Sequence, residues 1–377
     1  MKGMTVAEKH CGIKFAQGIG VELIVAKNIV MAMAMPFALL AMLTGCHARQ
    51  GNHSGRQKDE AKMKYRHVTL DDRIHDVMRH PAFGDFGPLL FTWHDHSSRG
   101  YPGDATMRET PDYDLWLTNA DAQTQVDGLN RLIDDASEGK RIWYDIYTDA
   151  EKRDAPQKRY TGLVFMRGRP GAPFMLFLPG GGYYFVGMQH EGLPIGMVVN
   201  RRGYNVFVLR YRVDGGGDYP LDYQRVAGED LIRAVRFIRE HADELQVAAD
   251  DYCLGGGSAG AHTVSDVTYG EAGFTRLADV HPAATVIAYT YFSDDIRFTP
   301  DDSPAFFIVG KRDRIVPWQW VKARVDRMKA DGCTVEAHIL DHMPHGFSLG
   351  KGTEAEGWIE SAVDFWERNM KQYKRTW

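Results

Sequence analysis

The stretch Tyr252-Cys253-Leu254-Gly255-Gly256-Gly257-Ser258-Ala259-Gly260 decides the reading of the whole chain. It contains Gly-x-Ser-x-Gly as Gly256 to Gly260. Its apolar start reads as a strand, and a helix can follow it. That is the setting a nucleophile elbow requires. The serine must occupy a sharp turn with unfavourable dihedrals, so that its hydroxyl points away from the sheet. Glycines on both sides let strand and helix approach without a Cβ clash. Taken alone, five such residues describe an ordinary glycine-rich turn, so their meaning depends on the flanking chain.

Working outward, buried strands recur at intervals. Phe174 to Leu178 and Asn205 to Leu209 are continuous apolar runs, as strands covered on both faces would be. Ile142 to Tyr147, Gly162 to Met166, Ala284 to Tyr289 and Ala305 to Val309 also read as strands. Val335 to Leu340 alternates apolar residues with Glu336 and His338, the pattern of a half-exposed edge strand. Helices are expected between them: Val126 to Ile133, Gln189 to Arg202 stopped by Gly203, Ala227 to Leu245, Trp318 to Ala330, and a last one from about Glu354. Alternating strands and helices specify an α/β fold, a mostly parallel central sheet with helices on both faces. In such sheets function lies at the carboxyl ends of the strands.

The chemistry appears at those ends. Ser258 needs a base to take its proton, and the base needs a carboxylate to orient it. The strand Ala305 to Val309 leads into Gly310-Lys311-Arg312-Asp313, and the strand Val335 to Leu340 into Asp341-His342-Met343-Pro344-His345-Gly346-Phe347. The order serine, acid, histidine is the one this topology uses. Either histidine could be the base; His345 is favoured because Gly346 beside it permits a tight loop. Oxyanion donors are expected from the backbone N–H of Ala259 and from the loop Pro179-Gly180-Gly181-Gly182-Tyr183-Tyr184-Phe185. A phosphate cradle is disfavoured there, because the loop lacks a Gly-Lys-Ser/Thr ending and dinucleotide spacing. Tyr183 and Tyr184 could line the substrate pocket or pack under the loop. Gln189-His190-Glu191-Gly192 reads as a polar cluster near the same end, with helix capping as its ordinary role.

From Ile142 to the C-terminus the chain resembles the α/β-hydrolase superfamily, on the side of bacterial esterases and lipases with a glycine-rich oxyanion loop. Acetyl-xylan and feruloyl esterase relatives are the most similar. The resemblance rests on Pro179-Gly180-Gly181-Gly182, Tyr211-Arg212 followed by Tyr219-Pro220, Gly256-Gly257-Ser258-Ala259-Gly260, Asp313 ahead of Val316-Pro317, and His345-Gly346. It implies Ser258 as nucleophile, His345 as base, Asp313 as its orienter, and Gly181, Gly182 and Ala259 as oxyanion donors. It implies no cofactor. Pro179 departs from the family, many of whose members carry histidine there. The expected function is a serine carboxylesterase acting on a short-acyl ester, with acetyl groups on carbohydrate as one substrate class. A serine peptidase of the same fold and a non-catalytic ligand-binding lipoprotein are the competing readings.

Composition restricts the rest. The 377 residues are 44% hydrophobic and 25% charged with a formal net charge of −5, which gives no basic face for nucleic acid. The four cysteines, Cys11, Cys46, Cys253 and Cys333, have no paired metal spacing and are too few for a disulfide framework. Trp93-His94-Asp95-His96 lacks further ligands nearby and reads as a surface loop rather than a metal site. Ile29 to Leu43 is an apolar run too short for a comfortable membrane span and ends in Leu43-Thr44-Gly45-Cys46. That ending resembles a bacterial lipobox and implies cleavage before Cys46 and a lipid on its thiol. The expected organisation is therefore a signal segment over 1–46, a polar tether over 47–64, an extension over 65–140 able to lid the site, and the hydrolase domain over 141–377. Translation is expected to begin near Val25, since a signal normally starts near its basic residues, here Lys27. The protein would be exported and held at the periplasmic or cell-surface side of a membrane through Cys46 alone.

Overall fold

Continuous apolar runs become buried strands of one sheet. In the computed structural model, which describes residues 65–92, 100–113, 121–213, 222–293 and 295–373, these are β1 (Trp143–Tyr144), β2 (Gly162–Met166), β3 (Phe174–Leu178), β4 (Asn205–Arg210), β5 (Cys253–Gly257), β6 (Ala284–Ala288), β7 (Ala305–Gly310) and β8 (Val335–Leu340). The expected signal segment with Cys46, the tether, the Trp93-His94-Asp95-His96 cluster and Tyr219-Pro220 lie outside the described residues.

The sheet order is β1-β2-β4-β3-β5-β6-β7-β8. β1–β2 and β2–β4 pair antiparallel, and every other pairing is parallel. Every residue of β2 to β7 is buried, as strands covered on both faces should be. β8 is half-buried along its length, in keeping with its alternating sequence and its place at the edge. The chain leaves β3 toward β4 on one side, while β5 lies on the other. β3 and β5 are thus adjacent and parallel, Leu178 opposite Gly256, with their connections diverging. A crevice opens at the carboxyl ends of such a strand pair.

Local chemistry moves several expected boundaries. The expected strand Ile142 to Tyr147 contracts to two paired residues. Past Tyr144 the chain turns into the helix Asp149–Asp154, started by a capping box between Thr148 and Glu151. The helix expected over Val126 to Ile133 extends to Ala122–Ser137, because the Asp121 carboxylate accepts the Thr124 N–H and caps it earlier. That over Ala227 to Leu245 begins at Tyr223, capped by Asp222, and ends at Glu240 before a short turn Ala242–Leu245. Gln189 to Arg202 divides into a π-helical turn Met188–Gly192 and a helix Leu193–Arg201, whose start is fixed by Pro194. The helix Trp318–Ala330 has the expected span, and the last helix starts at Trp358 rather than Glu354.

The described residues of the stretch 65–140 pack into the same apolar cluster as the sheet, through Ile74, Val77, Phe83, Leu90, Leu129 and Ile133 among others. Arg210 at the end of β4 is wholly buried and donates to the Leu89 and Tyr160 carbonyls, tying this stretch to the sheet. Cys253 and Cys333 are free and buried. No helix among the described residues is long and apolar enough to cross a membrane, and none of their His, Cys, Asp and Glu side chains group to hold a metal ion.

Candidate active site

β5 ends at Gly257, the helix Ala259–Tyr269 begins two residues later, and Ser258 makes the whole turn between them. Its φ is +49° and its ψ −120°, a region non-glycine residues rarely enter. Two backbone bonds hold it there: its N–H donates to Ala288 O at 3.0 Å, and its carbonyl accepts from His262 N–H at 2.9 Å. Close packing enforces the turn as well. A Cβ on Gly260 would stand 2.0 Å from Leu178 O, so β3 can approach the helix start only with glycine there.

The Ser258 hydroxyl lies 2.9 Å from His345 Nε2, and His345 Nδ1 lies 2.7 Å from Asp313 Oδ2. The other Asp313 oxygen accepts the N–H groups of Ile315 and Val316 at 2.8 and 2.7 Å. The Asp313 side chain is fully buried and the imidazole nearly so. A carboxylate so placed keeps the imidazole in the tautomer with its proton on Nδ1, leaving Nε2 free to accept from serine. His342 takes no part: it is exposed, and its backbone N–H donates to Glu354.

The glycine loop after β3 stands beside the serine. A Cβ on Gly180 would lie 3.0 Å from Ser258 Cβ. Gly181 has φ +144° and no room for a side chain, since a Cβ would meet Phe185 O at 2.0 Å. Among the described residues, no acceptor is seen for the N–H groups of Gly181, Gly182 and Ala259. Backbone donors next to a nucleophilic oxygen can stabilise a developing negative charge without reorganising.

Three buried side chains clamp this loop. Tyr211 donates to Pro179 O at 2.7 Å. The Gly180 N–H donates to Glu191 Oε2, and Tyr289 donates to Glu191 Oε1. Tyr183, with φ +64°, turns its hydroxyl inward to His262 Nδ1 at 3.0 Å and Thr263 Oγ1 at 3.1 Å. Burial holds the His262 imidazole down at about 4, so it is neutral at pH 7. Its other nitrogen, 2.7 Å from Ser293 Oγ, completes a buried network with Asp266 and Gln224. Tyr184, by contrast, is 65% exposed.

The sequence indicated Ser258, Asp313, His345, Gly181, Gly182 and Ala259; the structure hydrogen-bonds the first three in line, and Gly180, before Gly181 and Gly182, packs against Ser258. The structure separates the paired tyrosines, one inward and one outward. Glu191 requires a correction: its carboxylate caps no helix, because the helix after it has no side-chain cap and both its oxygens are engaged elsewhere. Tyr289 and His262 carried no role in the sequence reading. The available signal for Glu191 was a carboxylate just before the apolar run Leu193 to Val199.

Residues 166–274 match the family model BD-FAE. Endo-1,4-beta-xylanase B of Butyrivibrio fibrisolvens is 42% identical over 217 residues, which is 49% of this chain and 34% of that one. The acetylxylan esterase of Xylanibacter ruminicola is 26% identical over 135 residues, 36% of this chain and 26% of that one. The chain thus spans about a third or less of the length of these curated relatives. The structure of an acetyl ester-xyloside bifunctional hydrolase from Caldicellulosiruptor lactoaceticus superposes with a TM-score of 0.50 at 20% identity, covering 60% of this chain and 95% of that one. With a mostly parallel sheet, a strained serine turn after β5 and this likeness of fold, the chain has the α/β-hydrolase fold.

Proposed function

We propose that this chain is a serine carboxylesterase that removes short acyl groups, with acetyl esters of carbohydrate as its substrate class. The observation that carries the reading is the hydrogen-bonded line Ser258–His345–Asp313, with the glycine loop after β3 packed against Ser258 through Gly180. Ser258 Oγ attacks the ester carbonyl carbon while His345 Nε2 takes its proton. The carbonyl oxygen, now negative, is held by the N–H groups of Gly181, Gly182 and Ala259. Collapse of the adduct breaks the bond to the alcohol, which leaves with the proton from His345. Water then attacks the acyl-serine with the same base, releasing the acid and restoring Ser258. Asp313 keeps its charge throughout and stabilises the imidazolium.

The carbohydrate half of the proposal draws on the names of two relatives, a xylanase and an acetylxylan esterase. Exposed aromatic faces lend it support. Tyr184 follows β3, Tyr291 follows β6 and Trp320 stands just after the β7 loop, all exposed at the carboxyl edge of the sheet. The C–H faces of sugar rings stack on such surfaces.

The test is turnover of p-nitrophenyl acetate, acetylated xylo-oligosaccharides and aminoacyl amides by wild type and Ser258→Ala. Ester turnover lost in Ser258→Ala supports the proposal. Preference for the amides turns the reading to a peptidase. No turnover, with no fluorophosphonate labelling of Ser258, turns it to a binding protein. Export and anchoring through a lipid on Cys46 belong to the same proposal, and fatty-acid labelling of the cell-grown protein should disappear in Cys46→Ser.

A further inference from the structure

The mechanism above leaves one wholly buried carboxylate at the site without a task. Glu191 is 2% exposed and has no Lys or Arg partner among the described residues. Burial lifts its carboxyl above the ordinary carboxylate range, against the pull of its two hydrogen bonds. A buried acid this poorly compensated is expensive to keep, so the contacts it makes need an explanation.

Those contacts join three loops. Glu191 Oε2 takes the Gly180 N–H at the root of the oxyanion loop after β3. Its Oε1 takes the Tyr289 hydroxyl, from the residue just after β6. The Tyr289 ring also stands 4.8 Å from the ring of Phe347, two residues past His345. The Tyr289 ring stands 5.4 Å from the His345 ring, edge to face. The elbow closes around the same carboxylate: a Cβ on Gly257 would meet Glu191 Oε1 at 2.2 Å. The network also runs through strained backbone. Of the seven non-glycine residues with positive φ among the described residues, four are Tyr183, Ser258, Tyr289 and Ser348, each in one of the loops this carboxylate joins or packs against.

We infer that Glu191 is a positioning residue, which fixes the Gly180–Gly182 donors relative to Ser258 and the His345 loop by bridging Gly180 and Tyr289. It touches no substrate. It acts by aiming the loop's N–H groups at the oxyanion, so its loss should lower the rate of the chemical step and spare ground-state binding. The inference rests on the esterase reading. An amide at 191 can keep both contacts, its oxygen toward Gly180 and its NH2 toward the Tyr289 oxygen; an apolar side chain keeps neither.

The experiment measures kcat and KM for p-nitrophenyl acetate in Glu191→Leu, Glu191→Gln, Tyr289→Phe and Ser258→Ala. Glu191→Leu should lose about 10²–10³-fold in kcat, the scale of one oxyanion donor, with KM within about threefold. Glu191→Gln should recover kcat to within about tenfold of wild type. A folded Glu191→Leu with wild-type kcat, or one that raises KM while leaving kcat unchanged, overturns the inference. If Glu191→Leu does not fold, Tyr289→Phe carries the test: about tenfold lower kcat supports it and unchanged kcat overturns it. Turnover that survives Ser258→Ala breaks the esterase reading and this inference with it. Turnover lost in Ser258→Ala but intact in Glu191→Leu breaks the inference alone.

Discussion

Two loops at the carboxyl edge of the sheet each bring a buried carboxylate toward His345, and they are built differently. After β7, Asp313 is held by the N–H groups of Ile315 and Val316, two and three residues on, and faces an imidazole at 2.7 Å. After β3, Glu191 is held by Gly180, 11 residues back, and by Tyr289, 98 residues away. The first carboxylate is solvated by its own turn and supplied with a partner that becomes cationic during the proposed reaction. The second is solvated only by groups that tertiary folding brings to it. A carboxylate of the first kind can stabilise charge directly. One of the second kind is suited to holding backbone in place.

Breaking this contrast begins with the group both loops serve. Ser258→Ala should lower kcat for a short ester by about 10⁵–10⁶-fold, and a much smaller loss would mean that Ser258 is not the nucleophile. Next comes Asp313→Asn, where the Ile315 and Val316 N–H groups still find an oxygen but the imidazole tautomer is no longer enforced. About 10⁴-fold in kcat is expected at neutral pH, without loss of thermal stability. Glu191→Leu belongs below it, at the 10²–10³-fold already derived. Should the two variants rank the other way, the roles assigned to the two carboxylates are reversed.

Two smaller effects sharpen the comparison. Tyr183→Phe removes one hydroxyl that fastens the glycine loop to His262 and Thr263 and leaves the proposed backbone donors intact. A drop of about five- to tenfold in kcat is expected, the scale of one buried hydrogen bond, and steady-state kinetics on p-nitrophenyl acetate will read it. The smallest effect is on stability. The folded-state pKa of Glu191 lies above its ordinary 4.5. As pH rises past 4.5 the unfolded chain gives up its proton first, the native state binds more protons, and stability falls until the folded-state pKa is passed. Glu191→Gln has no such proton. Between about pH 4 and pH 7 the urea-unfolding stability of Glu191→Gln should therefore gain on wild type. A gap moving the other way would show that the protein favours the ionised carboxylate.

The contrast also explains what could be read without a structure. The Asp313 turn was legible because its contacts are local: a carboxylate just past an apolar strand, with Ile315, Val316 and Pro317 following. The elbow was legible because the glycine that a distant contact demands, Gly260 against Leu178 O, is itself written within a five-residue pattern. Glu191 looked like a capping residue because sequence shows neighbours along the chain, and neither of its partners is one. Helix ends moved wherever a cap such as Asp121 or Asp222 acted earlier than the apolar period suggested.

By itself the sequence determined the alternation of buried strands and helices, the serine turn, and the order of serine, acid and histidine, because hydrophobic period and backbone preference act over a few residues. Only the tertiary structure decided the strand order that sets β3 beside β5. It also chose His345 over His342 and turned Tyr183 inward with Tyr184 outward. It brought Glu191 to Gly180 of the glycine loop and to Tyr289. Each of these depends on which distant groups share one buried space, and a buried polar atom is satisfied by whichever partner the packing delivers.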